Sequence, residues 1–280
     1  MSKTLECELL SLSTPATIVG HLAPDLDCLT AIWILMRFGG AKKAELAFVP
    51  AGDTLDARLA DSDPHVVHVD TGGGRFDHHS SHDPQLCAAE LVRRATAPND
   101  AVLKRLVDQV IRSDNAQLRR DERPLFFNIN DLIAGYNALY PNRPQHVTQA
   151  MLPNLDAWYE HEARQHRLDK VFERRMQFHT RWGMGIAMES SDGGSSRLAY
   201  GEGAILYAYR DGKGHMGIAA QSRSDVDLAP VYSDLLRVDE GADWYLHPNR
   251  RLLLCGTAKA PARNLSQLTL EELVGVIKRS

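Results

Sequence analysis

The sequence predicts an α/β protein: an N-terminal parallel sheet, a helical connector and a smaller C-terminal α+β domain. Three observations carry this. The first hundred residues alternate between strand-like and helix-like runs, and those strands are apolar without a polar face, the pattern of a parallel sheet covered on both sides. Long helical patterns then replace strands, and short strand runs return near the C-terminus.

In chain order, T-I-V-G (17–20) is a β-branched strand, and L-T-A-I-W-I-L-M-R-F (29–38) is an apolar helix stopped by Gly39 and Gly40. A-E-L-A-F-V (44–49) and V-V-H-V (66–69) are the next strands. P-Q-L-C-A-A-E-L-V-R-R-A (84–95) and A-V-L-K-R-L-V-D-Q-V-I-R (101–112) read as helices, the second with Asn99 or Asp100 as N-cap. From Asn128 to Arg181 no strand is expected, and L-D-A-W-Y-E-H-E-A-R-Q-H-R-L-D-K-V-F-E-R-R-M (155–176) is helical. S-S-D-G-G-S-S (190–196) is a loop by composition. Beyond it, A-I-L-Y-A-Y (204–209), H-M-G-I-A-A (215–220) and R-L-L-L-C (251–255) are strands. V-Y-S-D-L-L (231–236) and L-T-L-E-E-L-V-G-V-I-K (268–278) are helices, the last capped by Thr269. The expected domains are 1–127, 128–185 as connector, and 186–280 for substrate binding.

Composition narrows the function. The chain has 280 residues, 44% hydrophobic and 24% charged, enough to bury a core without staples. Its four cysteines, Cys7, Cys28, Cys87 and Cys255, are scattered and read as reduced thiols. M-S-K-T-L-E-C-E-L-L lacks the features of a signal peptide, and no run is long and apolar enough to span a membrane. A cytoplasmic location with no membrane partner is the expectation. A net charge of −4 disfavours phosphate-driven binding of long duplexes but allows a short nucleic acid or a small phosphorylated substrate, and a homodimer.

The chemistry concentrates in three places. H-L-A-P-D-L-D (21–27) follows the first strand, V-V-H-V-D-T-G-G-G-R-F-D-H-H-S-S-H (66–82) contains the third, and R-S-D-N (112–115) closes a helix. Ligands of open α/β sheets bind at the carboxyl ends of strands. Neighbouring strands would gather His21, Asp25 and Asp27 with Asp70, His78 and His79, and the later helix offers Asp114. Two like charges 4 Å apart cost roughly 4 kcal/mol at an effective dielectric near 20. Four such carboxylates therefore stay partly protonated or hold cations. Two divalent ions would balance Asp25, Asp27, Asp70 and Asp114. Mixed imidazole and carboxylate ligands suit manganese, iron(II) or zinc better than calcium. Paired ions clamp a phosphoryl group and activate water, so hydrolysis of a phosphoester or phosphoanhydride follows.

H-L-A-P-D-L-D, V-H-V-D-T, F-D-H-H and S-D-N, in that order, resemble the four motifs of the DHH phosphoesterase superfamily, over about residues 17–115. Members include RecJ-type exonucleases, oligoribonuclease and phosphoadenylate hydrolases, and family II pyrophosphatases. F-N-I-N-D-L-I-A-G-Y-N (127–137) more weakly resembles the branch named after the melanocyte-proliferating gene, whose members are RNA exonucleases. The resemblance implies a DHH-type N-terminal domain with two divalent ions, manganese foremost. It implies that His21 and Asp25 hold one ion, that Asp27, His78 and Asp114 hold the other, and that Asp70 bridges them. Asp77 would orient its neighbouring imidazole and His79 would meet the substrate phosphate. Asp108, six residues before Asp114, is the rival for the late ligand.

Many superfamily members bind substrate through an arginine-serine motif and a glycine-rich G-G-G-H turn in a second domain. A-A-Q-S-R-S-D-V-D-L looks like the first and makes Arg223 a phosphate clamp. The glycine-rich turn is missing; D-W-Y-L-H-P-N-R-R-L-L-L-C-G-T stands there, offering His247, Arg250 or Arg251. The expected function is a metal-dependent phosphodiesterase acting on short single-stranded oligonucleotides or small nucleotides. The alternatives are a pyrophosphatase or exopolyphosphatase, for which Lys213, Arg223, Lys259 and Arg263 form a loose cation set, and a catalytically idle nucleotide-binding module.

Other polar features read as structural. His68 packs inside its strand, and His82 is divided between solvent and an outer substrate contact. The G-G-G of 72–74 is equally a tight turn or bare backbone, at Gly73 above all, that lets a phosphate approach. H-E-A-R-Q-H (161–166) is not a zinc motif, because histidines five apart on a helix diverge by roughly 140°; it reads as a solvated face. C-G-T-A-K-A-P lacks the P-loop pattern. L-R-R-D-E-R (118–123) reads as a solvated turn and R-R-M-Q-F-H-T-R-W (174–182) as helix packing.

Overall fold

A computed structural model describes residues 14–115, 127–257 and 259–280. Cys7, the first ten residues and the turn expected at 118–123 lie outside the described residues. The chain divides into two compact units between Ala163 and Arg164, and each is taken by itself.

The first unit is built on a parallel three-stranded sheet. β1 (Thr17–His21) lies between β2 (Glu45–Val49) and β3 (Val66–His68), in the order β2-β1-β3. The register pairs Thr17 with Val66 and Val19 with His68, so the carboxyl ends of β1 and β3 emerge together. α1 (Leu26–Arg37) starts three residues before the apolar run because Asp25 caps it, accepting a hydrogen bond from the Cys28 amide at 3.0 Å. Apolar nearly all round, it is buried from Leu26 to Leu35.

α2 (Ala88–Thr96) begins later than its pattern suggests, and the side chain of its own N-cap residue, Cys87, does not cap it. α3 (Ala101–Asp114) is capped by Asp100, which accepts from the amides of Val102 and Leu103. α4 (Ile129–Leu139) opens on a reciprocal capping box between Asn128 and Asp131. α5 (Pro144–Phe172) begins in this unit, where Met151 and Leu155 join Ile18, Leu29, Ile32 and Leu106 in one core. H-E-A-R-Q-H is not wholly a solvated face: Glu162 is buried and accepts from Gln109 Nε2 at 2.9 Å.

The second unit is a six-stranded mixed sheet in the order β4-β5-β6-β7-β9-β8. Its strands are β4 (Met176–Thr180), β5 (Gly183–Glu189), β6 (Leu206–Arg210), β7 (Met216–Ala220), β8 (Tyr245–Leu246) and β9 (Leu252–Cys255). β5 and β6 are parallel and the other neighbours antiparallel. β4 overturns the expectation that no strand precedes Arg181 and that 174–182 packs as helix. The physical reason is cross-strand. Phe178 pairs with Gly185, and its ring covers that glycine so closely that a Cβ there would meet Cζ at 2.4 Å. Helices α6 (Ser195–Gly201), α7 (Ala229–Val238) and α8 (Leu270–Arg279) complete the unit. α6 takes the last residues of the expected 190–196 loop. α8 has the predicted Thr269 cap, in a box with Glu272. Leu253, Leu273 and Ile277 lie in its main core.

Cys28, Cys87 and Cys255 are free thiols. No helix among the described residues is long and apolar enough to cross a membrane.

Candidate metal centre

His21 is the last residue of β1, and the helix that follows is capped by Asp25 and carries Asp27 in its first turn. β3 ends at His68, two residues before Asp70, which bends into the left-handed region at φ 57°. Its amide donates to the Phe76 carbonyl at 3.0 Å, closing the loop that carries D-H-H back over the strand ends. Gly72 (φ 80°) and Gly73 (φ 68°) make that loop possible. A Cβ on Gly72 would stand 2.9 Å from Thr54, whereas one on Gly73 would meet nothing within 4 Å.

These turns bring the predicted residues of the first unit together. Asp70 lies between two imidazoles: its Oδ2 is 3.3 Å from His21 Nε2 and its Oδ1 is 3.4 Å from His78 Nε2. His21 Nε2 is also 3.9 Å from Asp25 Oδ1. His78 Nε2 lies 3.6 Å from Asp27 Oδ2 and 3.6 Å from Asp114 Oδ2. Asp108 instead makes a surface ion pair with Lys104 at 2.8 Å, so the structure brings Asp114 and not its rival to His78. Asp77 holds His79 rather than His78: Oδ1 meets His79 Nδ1 at 2.7 Å and Oδ2 accepts from the Gly73 amide at 2.8 Å. His79 is otherwise exposed.

Asp27 has a further task that the sequence hides. Both its oxygens accept from the first amides of α2, Oδ2 from Ala88 at 2.7 Å and Oδ1 from Ala89 at 2.8 Å. Asp27 thus supplies the cap that Cys87 does not. Cys28 was also passed over. Its thiol comes within 4.8 Å of ligand atoms of His21 and Asp70, but burial and the nearby Asp70 charge push it well up, so it stays a neutral thiol.

The electrostatics are those of crowded carboxylates. Burial, then the Asp70 charge, pushes the Asp27 carboxyl up to about 7. Burial also raises Asp114. Contact with Asp70, outweighing burial and reinforced by Asp27 and Asp114, lifts His78 to about 9. For Asp70 burial works against ionisation, yet the flanking imidazoles hold it below the ordinary carboxylate range.

The donor set fits divalent cations. Asp70 Oδ1 is buried with no hydrogen-bond partner among the described residues, a state that costs about 1–3 kcal/mol unless something coordinates the atom. Asp70, His78 and His79 present atoms within 4.8 Å of one another, as do Asp27, His78 and Asp114. Imidazole and carboxylate donors in that mixture suit first-row divalent ions.

The remaining predicted residues gather at one end of the second unit's sheet. Arg223 is exposed in the turn after β7. His247, Arg250 and Arg251 form the β8–β9 hairpin, where Arg250 pairs with Asp227 at 3.2 Å and Arg251 donates to the Ser224 carbonyl at 2.8 Å. The His247 ring accepts from the Asn249 amide at 3.2 Å. His68 is structural, accepting from the Leu55 amide at 3.0 Å, and His82 is exposed.

No family model matches the chain, and no curated protein matches it. Among solved structures, RecJ of Thermus thermophilus in complex with Mn2+ is 12% identical, with 96% of this chain and 52% of that chain covered and a TM-score of 0.30. The same protein with Mg2+ gives 13% identity, 96% and 50% coverage and a TM-score of 0.29. An exopolyphosphatase-related protein from Bacteroides fragilis gives 13% identity, 95% and 91% coverage and a TM-score of 0.27. The chain spans about half the length of that RecJ. Likenesses of this size bear on neither substrate nor mechanism.

Proposed function

We propose that the chain is a divalent-metal-dependent phosphodiesterase that hydrolyses short single-stranded oligonucleotides or small nucleotides, with manganese the preferred ion. The observation that carries the reading is the buried Asp70 carboxylate set between His21 and His78, with Oδ1 left without a hydrogen bond. His21 and Asp25 would hold one ion, Asp27, His78 and Asp114 a second, and Asp70 both. Such a pair, when bound, polarises a phosphodiester and lowers the pKa of a water between the ions towards ~7.

The chain's own groups do the rest. His79 directs Nδ1 to Asp77, so its Nε2 carries a proton only in the imidazolium form. That form donates to a phosphate oxygen and hands a proton to a departing alkoxide. Gly73 leaves open backbone beside it. Arg223, exposed in the turn after β7, carries a planar fork that suits a phosphate. The net charge of −4 favours short substrates over long ones.

The pyrophosphatase reading calls for a dense basic cluster, and two members of its cation set stand apart. Lys213 sits in the turn before β7 and Arg223 in the turn after it, at opposite ends of that strand.

The test is incubation of the purified protein and its Asp70→Asn variant with manganese and labelled di- to decanucleotides. Nucleoside monophosphate release by the wild type alone supports the reading. Phosphate release from pyrophosphate with the oligonucleotides untouched moves the assignment to the alternative. Turnover of neither sinks both.

A further inference from the structure

The second unit contains a hollow of about 260 Å³ at the end of the sheet where β5 and β6 finish, the opposite end from Arg223. Tyr209, His215, Ser191, Ser196 and Thr257 line it. The Tyr209 ring lies against Gly217, where a Cβ would meet Cε1 at 2.4 Å, and stacks beside Tyr207 with centroids 6.0 Å apart and planes 16° from parallel. The glycine lets the tyrosine present a face.

His215 is the fixed polar group. Only 8% exposed, it directs Nδ1 to Asp211 Oδ2 at 2.8 Å, and among the described residues its Nε2 has no hydrogen-bond partner. The Asp211 carboxylate accepts the Nδ1 proton, so in the neutral ring Nε2 is an acceptor aimed at whatever fills the hollow. Gly256 (φ 74°) lets the ring seat, since a Cβ there would stand 2.8 Å from His215 Cδ2. Around it are hydroxyls with capacity to spare. The Thr257 and Ser191 oxygens accept from the amides of Ala260 and Gly212, leaving their protons free to donate, and the Ser196 and Tyr209 hydroxyls have no partner among the described residues.

The charge excludes ionic ligands. No lysine or arginine is among the described residues that line the hollow. Asp192 is neutralised by the Arg164 fork at 2.6 and 2.7 Å. Asp211 is saturated by the amides of Lys213 and His215 and by the His215 ring. A phosphate meets no lysine or arginine, and a cation meets no free carboxylate. An aromatic ring surrounded by hydroxyls and one imidazole fixed by a carboxylate suits a neutral ring that bears several hydroxyls of its own.

We infer that this hollow of the second unit binds a cyclic sugar, either the ribose of a nucleoside or a free monosaccharide. The assignment does not depend on the phosphodiesterase reading.

Calorimetric titration of the full chain with adenosine, D-ribose and adenine tests it. Saturable binding of adenosine or ribose is expected, weakened at least ~tenfold by Tyr209→Leu and by His215→Gln, and unchanged by Asp70→Asn. Adenosine binding more tightly than ribose assigns a nucleoside; equal affinity assigns the free sugar. If His215→Gln fails to fold, Ser196→Ala replaces it, with a severalfold weakening expected. No binding of adenosine or ribose at ~10 mM overturns the inference. So does binding of adenine as tight as adenosine, insensitivity to Tyr209→Leu, or loss of binding in Asp70→Asn.

Discussion

The Nδ1 of His79 lies 2.7 Å from Oδ1 of Asp77, and that contact decides which nitrogen of an otherwise exposed imidazole meets a substrate. Asp77→Asn keeps the oxygen that accepts from Gly73 and weakens the hold on His79. The turnover number should fall by about 10–100-fold, while manganese affinity measured by calorimetry stays within about twofold. A parallel loss of both would make Asp77 a support of the loop and not of His79.

Asp70 sits at φ 57°, a conformation that costs asparagine less than alanine. Asp70→Asn should abolish metal binding and lower the melting temperature of the metal-free protein, because the His21 and His78 contacts of the carboxylate are lost. Asp70→Ala should lose metal binding and about 1 kcal/mol more stability than Asp70→Asn, readable by urea unfolding.

Asp114→Asn should weaken manganese binding at least ~tenfold, because its carboxylate is 3.6 Å from His78. Asp108→Asn loses only a surface pair with Lys104 and should leave affinity unchanged.

The metal-free protein should become less stable as pH rises from about 4 to 9. The Asp27 carboxyl titrates near 7 in the fold against an ordinary 3.8, so the unfolded chain sheds that proton first and stability declines between those values. His78 titrates near 9 against 6.5, so its contribution is complete below 6.5 and is lost as pH climbs through 9. Divalent ions require Asp27 ionised and His78 neutral, so loading releases protons and strengthens with pH over the same range. Titration with manganese in two buffers of different ionisation enthalpy measures that release; proton uptake would contradict it.

Glu90 behaves in the opposite sense. Buried, it accepts from Arg93 at 2.7 Å and from Arg94 at 2.6 Å, and although burial opposes ionisation these guanidinium groups hold it below 4.5. Its contribution is present above 4.5 and lost as pH falls through the folded value. Glu90→Gln should cost about 2 kcal/mol at neutral pH, shrinking towards zero in acid, as thermal unfolding at several pH values would record.

The first unit was legible wherever the chain carried its reasons locally. T-I-V-G, the apolar α1 and the strand V-V-H-V are unbroken runs, and Thr269 with Glu272 wrote the start of α8 into four residues. The converging histidines and aspartates followed from strands that proved to be neighbours. What escaped depends on distant partners. β4 carries polar Gln177 and His179 and β5 carries two glycines, and they make sense only once Phe178 is seen lying on Gly185. α2 begins where it does because of a carboxylate 61 positions earlier. The partner of Asp77 is set by how the loop folds back, since it is His79 and not the adjacent His78.

A carboxylate that ends on two peptide groups also turns those groups into witnesses. The amide resonances of Ala88 and Ala89 register every change of charge at Asp27. In a heteronuclear spectrum they should shift together when Asp27 gains a proton or engages an ion, whether or not a substrate is present. The start of α2 is therefore a native gauge of how full the crevice is, readable with no label attached to the crevice itself.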